Sequence, residues 1–593
     1  MTQATTVRSS DTSSTLPTIQ YQVAMPQPES HLFEVTLTVQ GWQESVLDLK
    51  MPVWTPGSYL VREYARHLQD FSANAAEGGH LLPSRKLSKN HWQIDTADTS
   101  EITVRYRVFA NELTVRTNHL DATHGYFNGA ALFFFIPGYE QQSIQVAIAP
   151  PHPDWHVTTP LPSISDKANT FEAQDFDTLV DSPFEIGSQR LYNFEVLSKP
   201  HQLAIWGEGN IDPNRVIEDT KKIIEVEAQI YGGLPYERYL FLLHLANNSF
   251  GGLEHKNACS LIYSRFGFRA KDKYNRFMQL VAHEFFHLWN VKRIRPKALE
   301  KFNYEQENYT TSLWFCEGTT SYYDLVIPLR AGIYDAKAFL EGLSKEITML
   351  QTTPGRKVQP VSESSFDAWI KLYRRDANSN NSQISYYLKG ELISLLLDLL
   401  IRSRHGNQRS LDDVMRQMWQ RFGKEEIGFT PQQLRDVLES VAQVNLDDFF
   451  ARYIDGTDEL PFDEYLQPFG LRLHSVEEEE AVPYLGVMVK TENSHESIKF
   501  VEAGSPAALA GVDAGDELLA IDGLRVTADQ LSDRLKDYKV GDTIKLSIFH
   551  QDELRTLPIT LIAPQPSRYQ IVRLENLTEV QKQNFAGWLG IGE

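Results

Sequence analysis

Between about Ile19 and Gln202 the chain alternates apolar and polar positions. Phe33, Val35, Leu37 and Val39 form one such run, and Ile102, Val104, Tyr106 and Val108 another. A period of two marks strands with one buried face. Turn signals such as Pro56-Gly57 and Pro137-Gly138 separate the runs. The pattern predicts an antiparallel sandwich or a saddle-shaped sheet. Near Ile211 it changes. Asn214–Tyr231 has helical spacing, and Tyr239–Leu245 reads as a buried strand. Lys271–Lys292 lacks Pro and Gly and repeats Phe277, Leu280, Val281, Phe285 and Leu288 at three- and four-residue intervals. That spacing predicts a core-packed helix, which Pro296 ends. A second helix is expected over Thr311–Leu329, and further helices to about residue 455. Thr430-Pro431-Gln432-Gln433 has a capping-box pattern. Thr527 and Gln530 form another, opening a helix through Leu535, with strands expected at Lys545–Phe549 and Leu557–Ile562.

The 593 residues, 42% hydrophobic and 23% charged, have the composition of a globular chain of about four domains. The net charge of −21 argues against nucleic acid or anionic membrane as a partner. No membrane span is expected, because the most apolar run, Leu392–Ile401, is short and interrupted by Asp398. Met1–Thr18 is Ser/Thr-rich without an apolar core, so a disordered leader is expected rather than a secretory signal. Glu477–Glu480 reads as a solvated linker. Cys259 and Cys316 make no disulfide framework and fit a reducing cytoplasm, although their pairing is left open.

Val281–Asn290 carries the candidate chemistry. It contains His283-Glu284-Phe285-Phe286-His287, an HExxH pattern. Histidines four apart on a helix share one face and can hold one zinc ion, while Glu284 can reach a water beside the metal as general base. A catalytic zinc site needs a third protein ligand and an open fourth position. Glu317 fits best. It sits among apolar residues, where an unpaired carboxylate is costly. Its rivals Glu305 and Glu307 lie in a polar stretch. Asp324 either orients a ligand histidine or is a helix-surface charge. Gly251 and Gly252 follow a strand and allow a ligand close approach. Glu254, just beyond, could pair with a substrate's α-ammonium, although spacing alone favours a solvated loop glutamate. Tyr387 could donate to an oxyanion, although spacing alone favours a core aromatic. Met51–Leu60 (MPVWTPGSYL) carries no evident chemistry and reads as packing.

Together these residues resemble the glycyl aminopeptidase family of gluzincin zinc peptidases. The likeness rests on MPVWTPGSYL (51–60), FGGLEH (250–255), HEFFHLWNVKRIRP (283–296), WFCEGTTSYYD (314–324) and YYLKG (386–390). The catalytic region also looks like a distant relative of the larger aminopeptidases with a GxMEN motif, with His255 where those have Asn. The resemblance implies a multidomain α+β chain with a leader (1–18) and a β-rich N-terminal domain (19–205). A thermolysin-like α/β and helical catalytic domain follows (206–475). The segment 476–566 looks like a PDZ domain, and 567–593 reads as a tail with some helical character. The resemblance makes His283, His287 and Glu317 the ligands of a single zinc, Glu284 the base, Glu254 the amine-binding carboxylate and Tyr387 the oxyanion donor. It implies removal of small N-terminal residues, Gly and Ala, from peptides with a free N-terminus. In PDZ domains the loop represented here by Leu485, Gly486 and Val487 offers N–H groups to a C-terminal carboxylate. Two alternatives stay open: a zinc endopeptidase with PDZ-recruited substrates, and a non-catalytic peptide-binding scaffold.

Overall fold

A computed structural model describes residues 16–96, 99–476 and 482–590. The first fifteen residues of the expected leader and the acidic run Glu477–Glu480 lie outside the described residues, and the strand Thr18–Ala24 begins where the leader was expected to end.

The two alternating runs are neighbouring strands. Leu32–Gln40 pairs antiparallel with Glu101–Phe109, and the register sets Phe33 opposite Val108, Val35 opposite Tyr106, Leu37 opposite Val104 and Val39 opposite Ile102. All eight side chains are at most 1% exposed, so one face of the pair is core. These strands lie in a six-stranded sheet, accompanied by a three-stranded and a four-stranded sheet. The expected antiparallel sandwich or saddle-shaped sheet departs from antiparallel pairing at one place among the described strands of these sheets. Thr18–Ala24 runs parallel to Ile144–Ala149, because the chain returns to it after more than a hundred residues rather than through a hairpin.

A second, five-stranded sheet runs in the order Arg190–Val196, Lys199–Trp206, Tyr239–Ala246, Ala258–Ser264, Phe250–Glu254. The change of sheet therefore falls near residue 189, ahead of the 205/206 division expected from sequence. Pro213–Tyr231 and Lys271–Phe286 are the expected helices on this sheet, and Thr319–Arg330 and Tyr386–His405 extend the helical layer. Phe250–Glu254, read from sequence as a loop, is an antiparallel edge strand on Ala258–Ser264. Trp54 and Tyr59 of the MPVWTPGSYL segment are buried in the core of this second unit rather than in that of the N-terminal sheets.

The third unit is a sheet built on Val487–Glu492, His495–Val501, Glu517–Ile521, Thr543–His550 and Glu553–Thr560 around Leu485, Ile498, Leu518, Leu546 and Ile548. The helix expected there is Leu531–Leu535, and Gln530 caps it without a side-chain bond; Thr527 turns to Asp529 instead, so the expected box does not form. The box at Thr430 and Gln433 forms with both bonds. Residues 567–590 are not a loose tail. Tyr569–Arg573 pairs with Leu471–Ser475, and the helix Glu579–Leu589 buries Trp588 against Phe339 and Phe469. The PDZ-like unit thus leaves and re-enters the helical layer. Cys259 and Cys316 are buried and free. Among the described residues no helix is long and apolar enough to cross a membrane.

Candidate metal centre and cleft

The HExxH helix buries Phe277, Met278, Val281 and Phe285, which presses its histidine face toward the neighbouring helices. Regular helix ends at Phe286, six residues earlier than the sequence predicts, with His287 as its cap. The cause lies in Asn290. Its side-chain amide donates to the carbonyls of Phe315 and Cys316 at 3.1 and 3.2 Å, and its own carbonyl accepts from His287 Nδ1 at 2.6 Å. One residue thus bends the chain, fixes a histidine ring and ties the helix to the segment carrying Glu317. Glu317 lies in a π-helical turn, Trp314–Gly318, at the start of Thr319–Arg330, where sequence predicts continuous α-helix. Such turns cluster at functional sites because the wider turn re-aims one side chain.

The structure brings His283, His287 and Glu317 together. The two Nε2 atoms are 3.0 Å apart, and Glu317 Oε2 stands 3.2 Å from His287 Nε2 and 3.7 Å from His283 Nε2. Ligand atoms about 2.0–2.1 Å from a tetrahedral zinc lie roughly 3.4 Å from one another. The outward nitrogens are also held: His283 Nδ1 by Asp324 at 2.9 Å and His287 Nδ1 by the Asn290 carbonyl. Burial would raise the Glu317 carboxyl, but the imidazoles of His287 and His283 outweigh it and hold it at about 2. Burial pushes Glu284 up to about 7 against the pull of the same two rings. Glu305 pairs with Lys50 at 2.8 Å, and neither it nor Glu307 joins a cluster able to hold a metal among the described residues.

A comparable donor set, His124, Glu185 and His244, lies where the N-terminal sheets meet the second sheet. Glu185 takes a bond from each ring, at 2.9 and 2.8 Å. There, His124 Nε2 and His244 Nδ1 have no partner among the described residues. These rings thus lack the acceptors that stand behind His283 and His287, and in this structure the Glu185 carboxylate is bonded by both of them.

Glu254 is 3% exposed, which overturns the reading of a solvated loop glutamate. It shares the cleft-facing side of its strand with Gly252, two residues before it. A Cβ on Gly252 would lie 2.0 Å from Glu284 Oε1, so only glycine lets Glu284 approach this strand. Glu254 Oε1 and Glu284 Oε2 are buried and without a hydrogen-bond partner among the described residues. His255 turns away, toward Asp181 at 3.4 Å. The MPVWTPGSYL segment does more than pack. Gly57, at φ +84°, lies so close to Glu254 that a Cβ would meet Oε1 at 2.6 Å. Around them Trp54, Pro56 and Tyr59 leave a cavity of only about 10 Å³.

Tyr387 stands in the first turn of its helix with its ring 6.4 Å from that of His283, and its hydroxyl stands 3.0 Å from that of Tyr373. Backbone contact of Gly390 with Gly318, where a Cβ on Gly318 would lie 2.5 Å from Gly390 Cα, brings this helix onto the turn carrying Glu317. Tyr373, Arg116 and Asn290 escaped the sequence reading. None sits in a recognisable pattern, and Arg116 arrives from the N-terminal sheets to donate to the Gly252 carbonyl at 2.9 Å. Leu485, Gly486 and Val487 border a groove of about 710 Å³ between Val487–Glu492 and Leu531–Leu535. Asn381 fixes that unit to the helical layer through bonds with Val501 and Ala503 at 3.0 and 2.9 Å.

Family models match three stretches: an M61 peptidase N-terminal domain over residues 20–188, M61 glycyl aminopeptidase over 276–393 and a PDZ domain over 483–561. The crystal structure of an aminopeptidase N family protein from Idiomarina loihiensis is 33% identical with a TM-score of 0.90, covering 96% of this chain and 100% of its own. An M1 zinc metallopeptidase from Deinococcus radiodurans is far more distant, at 12% identity and a TM-score of 0.45 over 75% of this chain and 94% of its own. No curated protein matches.

Proposed function

The chain belongs to the M61 glycyl aminopeptidase family, and from that premise we propose a zinc enzyme that releases small N-terminal residues, Gly and Ala, from peptides. One observation carries this reading: two imidazoles and a carboxylate converge beside two further buried carboxylates, each with one oxygen that has no hydrogen-bond partner among the described residues. His283, His287 and Glu317 are the proposed ligands of a single zinc. They fit it in donor type, in spacing and in the acceptors behind both rings. Zinc supplies Lewis acidity to the scissile carbonyl and acidifies a bound water. Glu284 takes the proton of the attacking water and returns it to the leaving amine. Tyr387 donates its hydroxyl to the developing oxyanion. Glu254 pairs with the α-ammonium and sets the substrate's end.

The closed packing of Trp54, Pro56, Gly57 and Tyr59 around Glu254 favours an exopeptidase over an endopeptidase. The cavity there holds only about 10 Å³, which supports an end-on fit of the first residue. The groove at Leu485, Gly486 and Val487 is read as a site for a C-terminal peptide, separate from the chemistry. Exchange of Glu284→Gln tests the mechanism. The variant should hold zinc in stoichiometric amount and lose at least about 1,000-fold in kcat on glycyl and alanyl substrates. Full turnover by the zinc-loaded variant removes Glu284 from the role of base.

A further inference from the structure

The cleft is negative at Glu254 and positive at its other end. Arg116 stands there on a loop from the N-terminal sheets. Val115, fully buried, plugs the loop into Ala246, Leu253 and Ile262 of the second sheet. Tyr126 donates to the Val115 carbonyl at 3.1 Å and Tyr64 to that of Arg116 at 2.9 Å, so the backbone is pinned from both sides. Arg116 Nη2 donates to Gly252 O on the edge strand. An extended peptide adding to this edge needs such carbonyls, and the guanidinium already holds one of them.

We propose that Arg116 binds the C-terminal carboxylate of very short peptides, so that the favoured substrates are dipeptides with both termini free. The inference rests on the aminopeptidase reading and narrows its substrate class. Register supports it. Glu254 and Gly252 are two residues apart on one face, about 7 Å along a strand, which is the length of an extended dipeptide. An ammonium at Glu254 thus sets a dipeptide's carboxylate beside Arg116. A guanidinium has five N–H donors in a fork that matches a carboxylate, and among the described residues no carboxylate pairs with this one. The carboxylates close enough to act on it, Glu284 and Glu254, belong to the cleft. Beyond lies a hollow of about 270 Å³ lined by Arg62, Arg66, His67, Glu112, Tyr373 and Arg374. Arg66 pairs with Glu112 at 3.0 Å, which leaves Arg62 and Arg374 without a carboxylate among the described residues. The field at this end attracts anions.

The experiment compares glycylglycine with glycylglycinamide on the zinc-loaded full chain. The wild type should favour the acid by about 10- to 100-fold in kcat/KM, mainly through KM. In Arg116→Met the ratio should fall to about one, and Arg116→Lys should keep part of it. A wild type indifferent to the amide overturns the proposal, and that measurement needs no variant to fold. A preference that persists in Arg116→Met overturns it as well. Calorimetry on Glu284→Gln separates the two layers of the argument. If the wild type turns over neither compound while Glu284→Gln binds the acid more tightly, the aminopeptidase reading fails and the clamp stands. Equal affinities, or none, overturn the clamp.

Discussion

His283 Nδ1 and the Asp324 carboxylate meet at 2.9 Å and join the helix carrying HExxH to the one that follows Glu317, two turns past that residue. The pair fixes which ring nitrogen faces Glu317. His287 has a backbone carbonyl in the same position, which no side-chain exchange removes. Asp324→Asn should therefore weaken zinc binding by about 10- to 100-fold. Competition with a chelator reads this directly. An unchanged midpoint reduces Asp324 to a helix charge.

Among the described residues the buried Glu254 Oε1 has no hydrogen-bond partner, and an α-ammonium would satisfy it. Removing one member of such a buried charged pair costs about 2–5 kcal/mol. Glu254→Ala should lower kcat/KM on unblocked peptides by at least about 30-fold at that energy. N-acetylated peptides should be inert to the wild type. Cleavage of a blocked peptide at an internal bond would replace the exopeptidase reading with the endopeptidase one.

Periodicity shows burial, and burial was the legible part. The paired runs at Phe33–Val39 and Ile102–Val108, the helix carrying HExxH and the strand at Tyr239 are all visible in the sequence. So is the trio His283, His287 and Glu317, because an acidic residue inside an apolar helix demands a partner. What stayed hidden are contacts between distant segments. Asn290 looks like any helix residue until its amide is seen on the Phe315 and Cys316 carbonyls. Arg116 has no local pattern at all, since its position is set by Val115 docking more than a hundred residues away. The docking of the helix Glu579–Leu589 was hidden because its large apolar residues, Phe585, Trp588 and Leu589, crowd its last turns and show no sustained period.

That C-terminal helix carries its own prediction. Trp588 is 3% exposed, its indole N–H donates to Tyr322 at 3.1 Å, and its ring meets Phe339 and Phe469. Truncation of a buried aromatic of this size costs about 3–5 kcal/mol. Trp588→Ala should lower the unfolding midpoint of the helical layer, measured by calorimetry on the full chain. No shift would return residues 567–593 to the status of a dispensable tail.

Gly57 separates the two roles of the MPVWTPGSYL segment. Its φ of +84° disfavours any L side chain, by about 1–2 kcal/mol. Gly138 has a comparable φ of +87°, but a Cβ there meets nothing within 4 Å. Both alanine exchanges should cost similar backbone strain, seen as similar losses in thermal stability. Only Gly57→Ala also pushes a methyl onto Glu254 Oε1, at 2.6 Å, so only it should lose activity on free N-termini in the manner of Glu254→Ala. If the two variants keep equal activity, the segment serves packing alone, and the end of the cleft is set by something other than Gly57.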